Sequence, residues 1–254
     1  MHENIVSLKR TARLAGLLYL VLGLLGFYAI MYVPNRIFVR GDTATSAKNL
    51  LTDEFLFRTS IVSHLLSVVT FLFLAFVLYK LFRKVNEQQA KLLVALVVVQ
   101  VPIIFLLETF DISSLMTLKG QVFKAATHAQ LQDVSQLFLK IHGYGLMTVE
   151  IFWGLWLIPF GLLVYKSVFI PRVLGVLLIS AGLGYTIDSL TFLLFPGLRD
   201  ATQPAAMILS GLGEGSTILW LLIIGAKDHL SITVFSESDA RSLPDLEKIE
   251  HLIQ

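Results

Sequence analysis

Seven ionisable residues fall in or at the edges of stretches otherwise built for lipid: His64, Glu108, Asp111, His142, Glu150, Asp188 and Glu214. Glu108 and Asp111 are three apart and share a helix face, and His142 and Glu150, two turns apart, face broadly the same way. Asp188 interrupts the apolar run LISAGLGYTIDSLTFLLFP (178–196), and Glu214 sits in SGLGEGS (210–216). An ionised carboxylate facing lipid at mid-depth costs about 2.5–3.5 kcal/mol on insertion scales, so such a residue faces partners or water, or is protonated. Buried carboxylates of this kind bind cations, relay protons or act as general acid and base. His64, His142 and Glu150 are of the residue types that ligate zinc, although they are scattered over two expected helices and match no metal-binding spacing.

Composition requires a membrane around these residues. The 254-residue chain is 56% hydrophobic and 15% charged, with a mean hydropathy of +0.76. Soluble domains carry roughly 25% charged residues. A net charge of +2 is too small to imply a nucleic-acid partner, and the absence of cysteine excludes disulfides, thiolate metal sites and cysteine nucleophiles. The start, MHENIVSLKRTAR, is too polar for a separate signal peptide and no A-x-A-like cleavage site follows, so the first apolar run reads as a retained helix. No H-E-x-x-H, G-x-S-x-G, Walker A or helix-opening G-x-G-x-x-G is present.

Apolar runs of spanning length predict six transmembrane helices, at about 14–33, 59–82, 92–111, 141–165, 173–195 and 205–226. The fold class is therefore an all-α, polytopic six-helix bundle: one transmembrane domain over 1–230, then a polar tail, 231–254, with a short helix near Asp245–Leu252. Pro102 predicts a kink near Val98. Asp42 or Thr43 predicts the cap of a short helix through Leu51. Residues 117–140 read as an extracytoplasmic amphipathic helix between the third and fourth spans, lying on the membrane surface. Of the 20 basic residues, twelve, from Lys9 to Lys248, fall on the side of the termini and in the shorter segments, so both termini are expected in the cytoplasm. At about 1.5 Å per residue, Asp188 lies roughly 10 Å, and Glu150 and Glu214 roughly 13 Å, below the opposite boundary. His64, Glu108 and His142 lie nearer that boundary and Asp111 at its rim, so all seven groups occupy one half of the membrane. Taken singly, Glu108 and Asp111 read as a solvated helix end. Ala181, Gly182 and Gly184 before Asp188, and Gly211, Gly213 and Gly215 around Glu214, predict close approach of the fifth and sixth helices.

Four stretches carry a resemblance to a known family: RLAGLLYL (13–20), GDTATSAKNLL (41–51), the block from Phe152 to Gly197 that joins KSVFIPRVLGVLL to GYTIDS, and GEGSTILWLLIIGAK (213–227). In these the chain resembles the bacterial integral membrane proteins of domain of unknown function 4386. The resemblance implies a six-helix or similar bundle with Glu150, Asp188 and Glu214 at motif positions, and implies no established activity.

Three functional expectations follow. The first is a multi-pass protein of the bacterial cytoplasmic membrane that binds or transports a small ligand, cation or proton through an outward-facing acidic cavity. Glu150, Asp188 and Glu214 lead its candidate residues, with His64, His142, Glu108 and Asp111. The second is an intramembrane enzyme, metal-dependent through His64, His142 and Glu150, acting on a lipid or apolar substrate. The third is a structural or regulatory subunit whose acids only lock helices. The expected partner is the lipid bilayer; the sequence requires no cofactor and does not determine the oligomeric state.

Overall fold

The computed structural model describes residues 2–227; the tail 231–254 and its expected short helix lie outside the described residues. The described chain is mostly helical: α1 (His2–Phe27), a π-helical turn (Tyr28–Tyr32), α2 (Val33–Ile37), α3 (Thr43–Thr52), α4 (Glu54–Phe82), α5 (Glu87–Leu118), α6 (His128–Lys166), α7 (Arg172–Leu194) and α8 (Arg199–Ile223). Among the described residues, six stretches are long and apolar enough to cross a membrane: Leu8–Ile37, Glu54–Phe82, Glu87–Leu118, His128–Lys166, Arg172–Leu194 and Pro196–Ile223. The protein is a multi-pass, all-α membrane bundle.

Local chemistry explains the breaks and starts. The π-helical turn precedes Pro34, which has no N–H to offer the carbonyl one turn earlier and forces a wider turn. Asp42 caps α3 by accepting from the Thr45 backbone N–H at 2.9 Å, Asn86 caps α5 through Gln89, and Thr127 with Gln130 forms a capping box at the start of α6. Pro102 lies inside α5, which continues past it.

Several boundaries differ from the sequence reading, two of them beside the candidate residues. The third span does not end at Asp111 but runs to Leu118. The hydroxyls of Thr109, Ser113 and Thr117 bond back to carbonyls one turn earlier, so their polar groups are satisfied within the helix itself. The 117–140 segment is not a separate helix. After a turn containing Gly120, its helical part starts at His128 and continues unbroken into the fourth span. At 39 residues, α6 is about 58 Å long at 1.5 Å per residue, against a hydrocarbon core of about 30 Å, so part of it projects beyond the lipid.

Each span packs on the next, and α8 returns to α1, closing a ring. Its two halves differ. Where Arg13, Arg83 and Arg172 lie, the interior is a dry cluster drawn from every span, including Ala15, Leu78, Leu93, Phe160, Leu178 and Leu221. Here Arg13 donates to the Ile223 carbonyl at 3.0 Å, capping α8, and Gly16 lies so close to α8 that a Cβ would fall 2.6 Å from Leu222 N. α6 and α7 approach backbone to backbone at Gly161–Gly175 and Gly154–Gly182. The other half holds the polar residues.

Candidate functional site

The polar half contains a cavity of about 730 Å³ bounded by α1, α4, α5, α6, α7 and α8. It exists because α1 and α8 diverge. They touch from Arg13 to Tyr19, but further along no atom lies within 4 Å of where a Cβ would stand on Gly23, Gly26, Gly211 or Gly215. All four glycines line the cavity. Exposed Phe27 and Met207 flank the resulting seam, so its sides are apolar. Phe71 and Trp156, packed edge to face at 4.8 Å, close it against the dry half.

Glu214 sits where α1 and α8 part. Tyr19 donates to its Oε2 at 2.6 Å and Tyr185 to its Oε1 at 2.9 Å, so α1, α7 and α8 meet at one carboxyl group. Asp188, only 2% exposed, accepts from the Thr202 hydroxyl at 2.8 Å, and its other oxygen faces Arg199 Nε at 3.7 Å. Arg199 also donates to the Met147 sulfur and lies over the Phe192 ring. Its Nε, buried and facing Asp188, makes no hydrogen bond among the described residues. Glu150 differs from both. It lies near Asp188 and Arg199 and lines the cavity, yet its buried Oε2 has no hydrogen-bond partner among the described residues.

The remaining four candidates form a second group. His64 Nδ1 lies 2.5 Å from Glu108 Oε1, and His142 Nε2 approaches the same oxygen at 3.2 Å. Asp111 Oδ1 stands 3.3 Å from the opposite ring nitrogen of His142. Glu108 and Asp111 are 3% and 7% exposed, which corrects the reading of this pair as a solvated helix end. The extension of α5 to Leu118 carries Asp111 well inside the bundle. His64 belongs to both groups, because it also lines the cavity. The proposed ligand trio of His64, His142 and Glu150 is thus divided: the third group beside the two imidazoles is Glu108.

Sequence reasoning missed Tyr19, Tyr185, Arg199 and Thr202. The signals were present. Phe195–Leu198 is too short a connection to carry Arg199 away from the end of α7. Tyr185 precedes Asp188 by three residues, on the same helix face. Arg199 falls before the sixth span expected at about 205–226, yet it is the first residue of α8.

The chain matches the model of a family described as Domain of unknown function (DUF4386) over residues 14–225. No curated protein and no solved structure matches it.

Proposed function

The chain belongs to the DUF4386 family, and we propose that it binds a small amphiphilic ligand in the cavity, with a cationic group at Glu150 and an apolar tail in the α1–α8 seam. The observation that carries this reading is the unpartnered Glu150 carboxylate oxygen, buried in a cavity that Asp188, Arg199 and Glu214 also line. A buried acceptor left unsatisfied costs about 1–3 kcal/mol, and sites that break local rules in this way tend to be functional. The sign of the ligand follows from the neighbours. Arg199 and Asp188 face one another at 3.7 Å and offset in charge, which leaves the carboxyl groups of Glu150 and Glu214 without a lysine or arginine of their own in the lining. An ammonium group would supply both the missing donor and the missing charge. The seam admits the ligand from the bilayer, so the tail never crosses water.

With both termini in the cytoplasm, as the distribution of basic residues favours, the cavity occupies the outward half of a bacterial cytoplasmic membrane. Binding there is the first step of either uptake or export of an amine-bearing amphiphile.

Trp153 and Trp156 line the cavity and report its occupancy. In nanodiscs of zwitterionic lipid, dodecylammonium should quench their fluorescence saturably and dodecyl sulfate should not. Glu150→Gln should weaken dodecylammonium binding by at least about tenfold, the equivalent of 1.4 kcal/mol, without lowering the melting temperature. Equal affinity in the variant, or preference for the sulfate, would sink the reading. A melting temperature that falls with binding intact would support the helix-locking role instead.

A further inference from the structure

The group behind the cavity wall has an organisation of its own. His64 on α4, Glu108 on α5 and His142 on α6 supply one ligand atom each, all within 4.8 Å of one another. We propose that His64 Nδ1, a Glu108 carboxylate oxygen and His142 Nε2 hold a zinc ion, with Asp111 orienting His142 from the far side of its ring.

Chemistry and spacing both support the assignment. Two imidazoles with carboxylate favour a borderline transition metal over calcium or magnesium, which prefer all-oxygen shells. Zinc bound by nitrogen and oxygen at about 2.0–2.2 Å places neighbouring ligand atoms about 3.3 Å apart in a tetrahedron. The His142–Glu108 separation of 3.2 Å already fits, and the 2.5 Å His64–Glu108 contact would open by less than an ångström. Asp111 adds an independent observation. Its side chain is nine-tenths buried, its Oδ1 has no hydrogen-bond partner among the described residues, and that oxygen faces His142 Nδ1 at 3.3 Å. A carboxylate on the second nitrogen of a metal-bound imidazole fixes its tautomer and ring orientation. Charge closes as well: one divalent cation neutralises the two carboxylates where an unbalanced charge is expensive.

The surrounding helices hold this geometry. Gly145, one turn after His142, lies directly against the Leu107 side chain, so α6 reaches α5 beside Glu108. The buried hydroxyls of Ser114 and Ser135, 2.7 Å apart, pin the same two helices further along. Three protein ligands leave a fourth position for water, and His64 connects the ion to the cavity. The assignment does not depend on what the cavity binds.

Metal content and metal environment test it on the full chain in mild detergent. After loading with zinc and dialysis, the wild type should retain one zinc per chain, and its X-ray absorption spectrum should show a nitrogen and oxygen shell with outer scattering from two imidazoles. Glu108→Gln and His142→Ala should each lose the ion, and Asp111→Asn should bind it about 10–100-fold more weakly. Gel filtration and helical circular dichroism confirm that the variants fold. If a variant does not fold, the wild-type spectrum alone decides. No retained zinc in the wild type, a shell without imidazole scattering, or full retention in a folded His142→Ala protein would each overturn the assignment.

Discussion

Gly175→Ala tests how the bundle holds Glu150 beside Asp188. A Cβ at Gly175 would stand 2.6 Å from Gly161 O, 2.7 Å from Tyr165 N and 2.9 Å from Tyr165 Cα. Ordinary contact begins near 3.4 Å, so the added carbon arrives about 0.8 Å too close. Every one of these neighbours is backbone, and no rotamer change relieves them. The strain is reciprocal, since a Cβ at Gly161 would meet Gly175 O at 2.6 Å. Relief requires α6 and α7 to move apart, and overpacking of this kind costs about 1–3 kcal/mol. Two turns along, the same crossing repeats at Gly154–Gly182, one turn from Glu150, so a wedge at Gly175 also loosens the polar half. Gly211→Ala is the control, because nothing lies within 4 Å of its Cβ position. There the higher helix propensity of Ala, worth about 0.8–1.0 kcal/mol, acts alone. Unfolding by rising SDS fraction in mixed micelles, followed by circular dichroism, should show Gly175→Ala unfolding well before the wild type and Gly211→Ala at or after it. A Gly175→Ala protein as stable as the wild type, or a Gly211→Ala protein equally weakened, would refute the packing argument.

Two further outcomes are expected besides the Glu150 and zinc tests. Tyr19→Phe and Tyr185→Phe should each cost about 0.6 kcal/mol, the average for a hydrogen bond between membrane helices, and no more than about 1.7 kcal/mol. The double variant should cost more than their sum, because Glu214 then loses both donors; a double-mutant cycle measures the excess, and strict additivity would show that the two bonds are independent. At Asp42, hydrogen bonds from the Thr45 hydroxyl and backbone N–H hold the carboxyl below its usual range. A lowered folded value means the cap is fully effective above the unfolded pKa of about 3.9 and is lost as pH falls through the folded value. Amide protection over 43–52, taken relative to the intrinsic exchange rate at each pH, should therefore fall in acid, while Asp42→Ser, which caps without ionising, should show no such acid step.

What the sequence conveyed, and what it did not, follows from which forces leave a local trace. Spanning helices are legible because each must satisfy its own backbone in lipid, so apolar length alone marks them. The gathering of acids in one half of the membrane is legible too, since 1.5 Å per residue turns position into depth. Their division into two groups is not. It depends on which helix faces which, and α4, α5 and α6 each contribute one member to a trio whose residues lie 44 and 34 positions apart. Hydroxyl back-bonding hid the end of α5, because Ser and Thr read as loop residues unless their bonds are known. Glu214 shows the limit most clearly. RLAGLLYL, GYTIDS and GEGSTILW stand far apart in the chain, yet Tyr19, Tyr185 and Glu214, one from each, converge on a single carboxyl group. The same stretches supply Gly16 and Arg13, which hold α1 to α8 below that point. These motifs therefore do two jobs together: they close the ring on the dry side, and they set where α1 and α8 separate to open the cavity around Glu150.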